Sequence, residues 1–250
     1  MTEEINYKRA PITEALFDVQ VVLPVSFDYK KFEQIHEKIK QEFTTKEISI
    51  FYETSIRVNK NKDPEYGTKG GANGFLFKSS DGKKIIQFRT NGYTFNKLKP
   101  YGNWENFSIE AKKYFQEYII IAQPIKVKSL GLRYINRIDL PLPINDFKEY
   151  LKTVPEIGAD IPQDMADFFM RLVVPETDHS SNMAIITLAI DKSALPSANI
   201  LPLILDIDVF RRVDIKADDP QIAEIFETLR AFKNLIFEKS ITDKIRDLIK

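Results

Sequence analysis

The spacing of apolar residues near the start of the chain predicts a strand followed by a helix. Residues 15–23 are rich in β-branched and aromatic side chains and stop before Pro24, which predicts a strand. A helix is predicted from Asp28 onward, because four apolar side chains recur there at the helical spacing and share one face: Phe32, Ile35, Ile39 and Phe43.

The next stretch predicts antiparallel strands and a second helix. Residues 48–59 alternate apolar and polar side chains, as a half-buried strand does. Residues 74–78 and 83–98 flank an Asp-Gly pair, which is typical of a tight hairpin turn. Asn103 or Asn106 can cap the following helix, because an Asn side chain accepts a hydrogen bond from a helical N–H.

The second half of the chain repeats this order of elements. Its predicted elements are a strand over residues 125–140, short helices over 146–151 and 163–172, strands over 182–191 and 200–213, and a long helix capped by Asp219. Two passes of strand, helix, antiparallel strands and long helix predict an internal duplication. The pseudo-repeats would cover about residues 10–123 and 125–250.

This order of elements predicts an α+β fold in a single domain over residues 1–250. The expected architecture is a mostly antiparallel sheet with the helices on one of its faces. The nearest known arrangement is the duplicated β-saddle of TATA-binding-protein-like folds. A likeness at the level of the fold carries no function with it.

Composition narrows the functional classes. The 36 basic residues balance the 36 acidic residues, so the formal net charge is zero. A protein that coats nucleic acid or anionic lipid by bulk electrostatics needs a surplus of Lys and Arg, which this chain lacks. The chain has no cysteine and 2 histidines, which excludes disulfides, thiolate metal sites, a Cys nucleophile and a three-His metal centre.

The apolar runs of the chain predict a cytoplasmic protein with no membrane partner. Residues 1–4 read Met-Thr-Glu-Glu, and no apolar stretch typical of a signal peptide follows them. The longest nearly uncharged apolar run covers residues 118–124. A helix that crosses a bilayer needs about 20 apolar residues, so this run is far too short.

Two arginines on one predicted strand are the strongest candidates for ligand binding. Arg133 and Arg137 are an even number of residues apart, so both project from the same face, while Asn136 belongs to the opposite face. Two guanidinium groups could hold a phosphate or a carboxylate. Alternatively, they pair with carboxylates on neighbouring strands. With Arg89 they would also form the basic face of a sheet that binds nucleic acid or a nucleotide.

An Asp-x-Asp pair is the candidate for metal binding. Asp206 and Asp208 share one face of a strand whose other face is apolar. Two carboxylates at this spacing can hold Mg²⁺ or Mn²⁺ for phosphoryl chemistry. The alternative is that they pair with Arg133 and Arg137, which predicts that the two strands are neighbours and form an ionic cluster on one side of the sheet.

Four stretches spread along the chain are familiar as a set. They are residues 10–15 (APITEA), 87–96 (QFRTNGYTFN), 133–138 (RYINRI) and 205–209 (LDIDV). Together they resemble a sporadically distributed family of uncharacterised bacterial proteins, over essentially the whole chain. The resemblance implies no activity, substrate or cofactor. A sporadic distribution suggests horizontal transfer, and hence a role in a mobile-element or defence context.

The sequence favours a binding or interaction protein without a cofactor over an enzyme. It has no Gly-x-Ser-x-Gly nucleophile motif and no glycine loop of the kind that binds phosphate. The expected partner is a protein or a small anionic ligand. One alternative is nucleic-acid or nucleotide binding through the sheet face, and a second is a metal-dependent phosphoesterase built on Asp206 and Asp208.

Overall fold

The first half of the chain forms five strands and two helices. The computed structural model describes residues 7–57, 65–163, 165–177, 181–193 and 199–250. The strands are β1 (Ile12–Val22), β2 (Thr45–Arg57), β3 (Glu65–Lys78), β4 (Lys84–Arg89) and β5 (Gly92–Leu98). The helices are α1 (Glu33–Ile39), which follows a 3-10 turn at Tyr29–Phe32, and α2 (Trp104–Ala122).

The second half forms four strands and two helices. The strands are β6 (Lys126–Pro141), β7 (Phe169–Pro175), β8 (Asn182–Ile190) and β9 (Ile200–Ile215). The helices are α3 (Gln221–Ser240) and α4 (Asp243–Ile249), and a 3-10 turn occupies Phe147–Glu149. Among the described residues, no helix combines the length and the apolar character needed to cross a membrane.

All nine strands belong to one antiparallel sheet in the order β2-β3-β4-β5-β1-β6-β9-β8-β7. The predicted α+β class is therefore confirmed. The first strands of the two halves, β1 and β6, pair at the centre. Beside each of them lies the last strand of the same half, and the remaining strands follow outward in reverse order. The second half has one strand fewer, and the internal duplication stays a prediction.

The two long helices pack on the same face of the sheet. Phe17 of β1 stacks on Phe226 of α3 with 3.8 Å between ring centroids. Tyr93 of β5 donates a hydrogen bond of 2.7 Å to the carbonyl of Ala111 in α2. We call this the covered face. The opposite side of the sheet carries the side chain of Asp18, the residue next to Phe17, and we call it the open face.

Two predicted helix caps are confirmed. The side chain of Asn103 accepts a hydrogen bond of 2.9 Å from the N–H of Asn106, and α2 begins at the next residue after Asn103. The side chain of Asp219 accepts one of 2.9 Å from the N–H of Gln221 at the start of α3. These bonds satisfy N–H groups that have no partner within a helix.

The helix predicted for residues 163–172 is wrong. β7 begins at Phe169 and pairs with β8 along its full length. Met170 and Val174 are partly buried and pack against the core, an even number of residues apart as in a strand. Pairing with β8 and burial of alternate side chains outweigh the local helical spacing, since strand formation depends strongly on context.

Candidate binding site on the open face

A cavity of about 670 Å³ lies on the open face of the sheet. Side chains from β1, β4, β5, β6, β8 and β9 line it, so it spans six adjacent strands. Gly131 of β6 is part of the lining. A Cβ atom at Gly131 would lie 3.9 Å from the Cβ of Asp18 and 3.7 Å from the Cβ of Phe210. The absence of a side chain therefore leaves open space between Asp18 and Phe210.

The strands of the two predicted motifs are neighbours, and Arg133 pairs with Asp206. β6 and β9 are adjacent in the sheet. Arg133 donates from Nε to Asp206 Oδ1 at 2.9 Å and from Nη2 to Asp206 Oδ2 at 2.6 Å. This fork geometry is the strong form of an Arg–carboxylate pair. The pKa of Arg133 is raised, and the largest cause is its hydrogen bonding to Asp206. Because its guanidinium is already engaged with Asp206, Arg133 is poorly available to an external anion.

Arg137 does not join that pair. Its guanidinium donates from Nε to Asp139 at 3.0 Å, and its Nη1 lies 3.5 Å from a carboxylate oxygen of Asp191. Arg133 and Arg137 therefore contact different carboxylates and do not form one clamp. Of the predicted ionic cluster, Arg133 and Asp206 form a pair, whereas Arg137 contacts Asp139 and Asp191 instead.

Arg89 is engaged on the other side of the cavity. Its Nη2 donates to Thr94 Oγ1 at 2.6 Å and lies 3.4 Å from Asp18 Oδ1. Thr94 in turn donates to Asp18 Oδ1 at 2.6 Å. Burial raises the pKa of Asp18, against the opposing effects of Thr94 and Arg89. Within the described residues, the buried Nε of Arg89 has no hydrogen-bond partner.

Asn136 belongs to the covered face, so the structure separates it from the three arginines. It is buried and donates from Nδ2 to the carbonyls of Leu205, at 3.0 Å, and Tyr134, at 3.3 Å. Asn136 lines a second cavity, of about 660 Å³, beside α3. This position of Asn136 agrees with the alternation expected along the strand, and its amide is used in hydrogen bonds within the sheet. Of the four candidate residues Arg89, Arg133, Arg137 and Asn136, the three arginines share the open face and Asn136 does not.

The two candidate metal ligands are in different environments. Both carboxylate oxygens of Asp206 accept hydrogen bonds from Arg133. Asp208 lines the cavity, and burial raises its pKa to about 6. Divalent cations need several ionised oxygen ligands. The positive charge of the Arg133 guanidinium at Asp206 would repel a metal ion bound to the same carboxylate. Among the described residues there is no group of three or more His, Asp or Glu side chains placed to hold a metal ion.

Two cations that the sequence analysis did not select lie at one end of the cavity. Lys128 and Arg212 line it and are both exposed. Arg212 is directly opposite Ser129 in the β6–β9 register, which places it beside Lys128. Within the described part of the chain, neither cation makes a salt bridge within 4.0 Å. Among the cations that line the cavity, Lys128 and Arg212 are therefore the two that an anion could reach most easily.

A β-bulge explains how Lys128 reaches the open face. The pairs Gln20–Ser129 and Val21–Val127 are consecutive on β1 but leave Lys128 as an extra residue on β6. An extra residue interrupts the alternation of a strand and re-aims a side chain. The sequence carries a signal for it, because two polar residues separate the core residues Val127 and Leu130 where strict alternation allows one.

The site is not assigned by similarity to known proteins. The chain matches no protein-family model and no curated protein. The resemblance described above therefore depends on its four stretches alone. The chemistry of the open face is what supports a function.

Proposed function

We propose that this protein is a non-enzymatic binding protein that holds a small anionic ligand on the open face of its sheet. The anionic group would lie at the end of the cavity that carries Lys128 and Arg212. The observation that carries the proposal is the contrast between these two cations and Arg89, Arg133 and Arg137, each of which already contacts a carboxylate.

The size and lining of the cavity support a small ligand. Pockets for small molecules occupy about 300–1,000 Å³ and combine apolar walls with a few polar groups. This cavity, at about 670 Å³, offers the apolar side chains of Phe210 and Ile185 and the hydrogen-bonding side chains of Gln20 and Ser129. An elongated ligand could place its apolar part against Phe210 and its anionic group near Lys128.

A nucleic-acid partner is less well supported than a small anion. Binding to a phosphate backbone needs several cations that can approach successive phosphates. The three arginines of the sheet face are engaged in ion pairs within the chain, and the net charge of the protein is zero. The two remaining cations of the cavity lining, Lys128 and Arg212, fit a single anionic group better than a repeated one.

Inorganic phosphate and citrate are suitable probes, with binding followed by two-dimensional amide NMR. We expect shifts confined to β6 and β9 around the cavity. The double variant Lys128→Gln/Arg212→Gln should lose them. The matched control Lys113→Gln/Lys216→Gln, which removes two exposed charges elsewhere, should keep them.

Three results would contradict the proposal. They are a wild-type protein that shows no shifts with either probe, shifts that persist in the Lys128→Gln/Arg212→Gln variant, and shifts scattered over the whole surface. Native mass spectrometry of the purified protein provides a complementary measurement, because a bound small anion appears as a fixed mass increment that the double variant lacks.

A further inference from the structure

The edge strand β2 exposes an apolar row on the covered side of the sheet. Ile48, Ile50 and Tyr52 alternate along β2, and their exposed fractions are 58%, 57% and 77%. Ile48 is paired with Phe75, whose buried side chain belongs to the core, so the three residues continue the core side of the sheet outward. A half-buried strand has such an apolar row on the side that packs against the protein. In β2 this row is exposed to solvent.

The middle of β2, residues 48–52, lacks the features that prevent edge strands from pairing. β2 is the first strand of the sheet order, so one side of it has no neighbour among the described strands. Natural edge strands carry charges, prolines or bulges that block further pairing. Residues 48–52 read Ile-Ser-Ile-Phe-Tyr, with no charge and no proline. The irregularity in the β2–β3 pairing adds its extra residue, Asn73, to β3 and leaves β2 regular.

The ring of Tyr52 lies close against β3. A Cβ atom at Gly70 would come within 2.6 Å of Tyr52 Cδ1, so the ring rests on a position that only glycine leaves free. A ring held in this way presents a preorganised apolar surface, because less side-chain freedom is lost when a partner packs on it.

We propose that β2 pairs with β2 of a second copy of this chain, antiparallel and across a two-fold axis. The two sheets then become one continuous sheet. A two-fold interface uses the same patch on both subunits, and such dimers are the commonest soluble oligomers. The pairing satisfies the free N–H and C=O groups of both edges and joins their apolar rows.

The charges of β2 select the register of this pairing. Residues directly opposite in an antiparallel pair share a face, so one residue of β2 must lie opposite the same residue of the second copy, with the two-fold axis midway between them. We name the axis after this residue. With Ser49 on the axis, Ile48 of one copy lies opposite Ile50 of the other, and Lys46 lies opposite Tyr52. With Ile50 on the axis, Glu47 lies opposite Glu53 at both ends, and like charges in this position destabilise a sheet. The axis at Ser49 is therefore favoured over the axis at Ile50.

Sedimentation velocity tests the dimer. We expect the wild-type protein to sediment as a dimer and the variant Ile50→Lys to lose the dimer, since two lysines would meet the opposite apolar row. Ile109→Lys is the matched control, because Ile109 is 65% exposed on α2, far along the chain from β2. The thermal unfolding midpoint of each variant shows whether the subunit itself still folds. A monomeric wild-type protein, or a dimer unaffected by Ile50→Lys, would overturn the proposal.

Cysteine cross-linking tests the register, because the chain contains no cysteine. Ile48→Cys and Ile50→Cys are prepared separately and oxidised alone or mixed. With the axis through Ser49, a disulfide-linked dimer forms in the mixture and not in either variant alone. Cross-linking of Ile50→Cys alone would reject this register, and cross-linking no greater than that of an Ile109→Cys control in every sample would reject the pairing.

Discussion

The two faces of the sheet are built from alternate residues of the same strands, yet they differ in chemistry. On the covered face, Phe17 and Tyr93 are fully buried against helices. On the open face, the next residues along the same strands are Asp18 and Thr94, which form a polar network with Arg89. The covered face is thus apolar and buried in the core, whereas the open face carries charged and polar side chains.

The comparison separates charges that maintain the fold from charges that remain available. Arg133 contacts Asp206 within the sheet, while Lys128 and Arg212 make no salt bridge in the described part of the chain. Stability should therefore depend strongly on the covered face, moderately on the engaged charges and hardly at all on the available ones.

The largest expected effect is on the covered face. Phe17→Ala removes a fully buried ring that stacks on Phe226. We expect it to lower the free energy of unfolding by about 3–5 kcal/mol, because burial is lost and a cavity remains. Urea unfolding measures this. The control Ile125→Ala, at a position that is 59% exposed, should change the free energy far less, and equal effects would remove the contrast between the faces.

The second effect concerns the engaged pair. Arg133→Ala leaves the poorly exposed carboxylate of Asp206 without its guanidinium. We expect a loss of about 2 kcal/mol, less than for a fully buried pair because Arg133 is itself half exposed. A double-mutant cycle with Asp206→Asn isolates the interaction. If the losses of the two single variants add in the double variant, the pair contributes nothing.

The third effect is a gain in stability that depends on pH. The pKa of Asp208 is raised by burial from 3.8 to about 6, so between these values the folded chain binds a proton that the unfolded chain lacks. This group therefore favours folding at low pH, and that contribution is lost as the pH rises through about 6. Asp208→Asn should raise the free energy of unfolding by about 1–2 kcal/mol at pH 7, less than the full pKa shift would give, because the cavity that Asp208 lines is open to solvent.

At about pH 3 the same substitution should have almost no effect, because Asp208 is then mostly protonated in both the folded and the unfolded chain and is similar in shape and charge to Asn. Urea unfolding at both pH values makes the comparison. An equal effect at pH 3 and pH 7 would show that the ionisation of Asp208 is not its cause.

The smallest expected effect is on the available cations. Lys128→Gln/Arg212→Gln should change the free energy of unfolding by less than about 0.5 kcal/mol, as is usual for exposed substitutions away from structural contacts. A loss comparable to that of Arg133→Ala would mean that these cations also maintain the fold, and the contrast within the open face would disappear.

Much of the fold follows from local patterns in the sequence. The apolar spacing of Phe32 and Ile35 and the cap at Asn103 depend on residues close along the chain, and both agree with the structure. The strand at Phe169 was not predictable in this way. Its stability comes from pairing with β8, and a helical spacing of a few apolar residues says nothing about a distant neighbour.

The site was less predictable than the fold. The sequence correctly predicted that Arg133 pairs with an aspartate of the neighbouring strand, because unlike charges on neighbouring strands attract each other. In the structure this partner is Asp206. Which cations stay available depends on the partners of every other charge, and this emerges only in three dimensions. Lys128 additionally requires a bulge, whose signal is the local break in alternation after Val127.

The central position of β1 has a consequence for folding during synthesis. β1 is synthesised before the other eight strands of the described sheet, but its neighbours β5 and β6 begin only at Gly92 and Lys126. A nascent chain that has not yet exposed β6 can complete the first five strands and still carries β1 as an open edge. Unpaired edges can pair with other strands, so we expect the risk of mispairing to be greatest in the interval before β6 emerges.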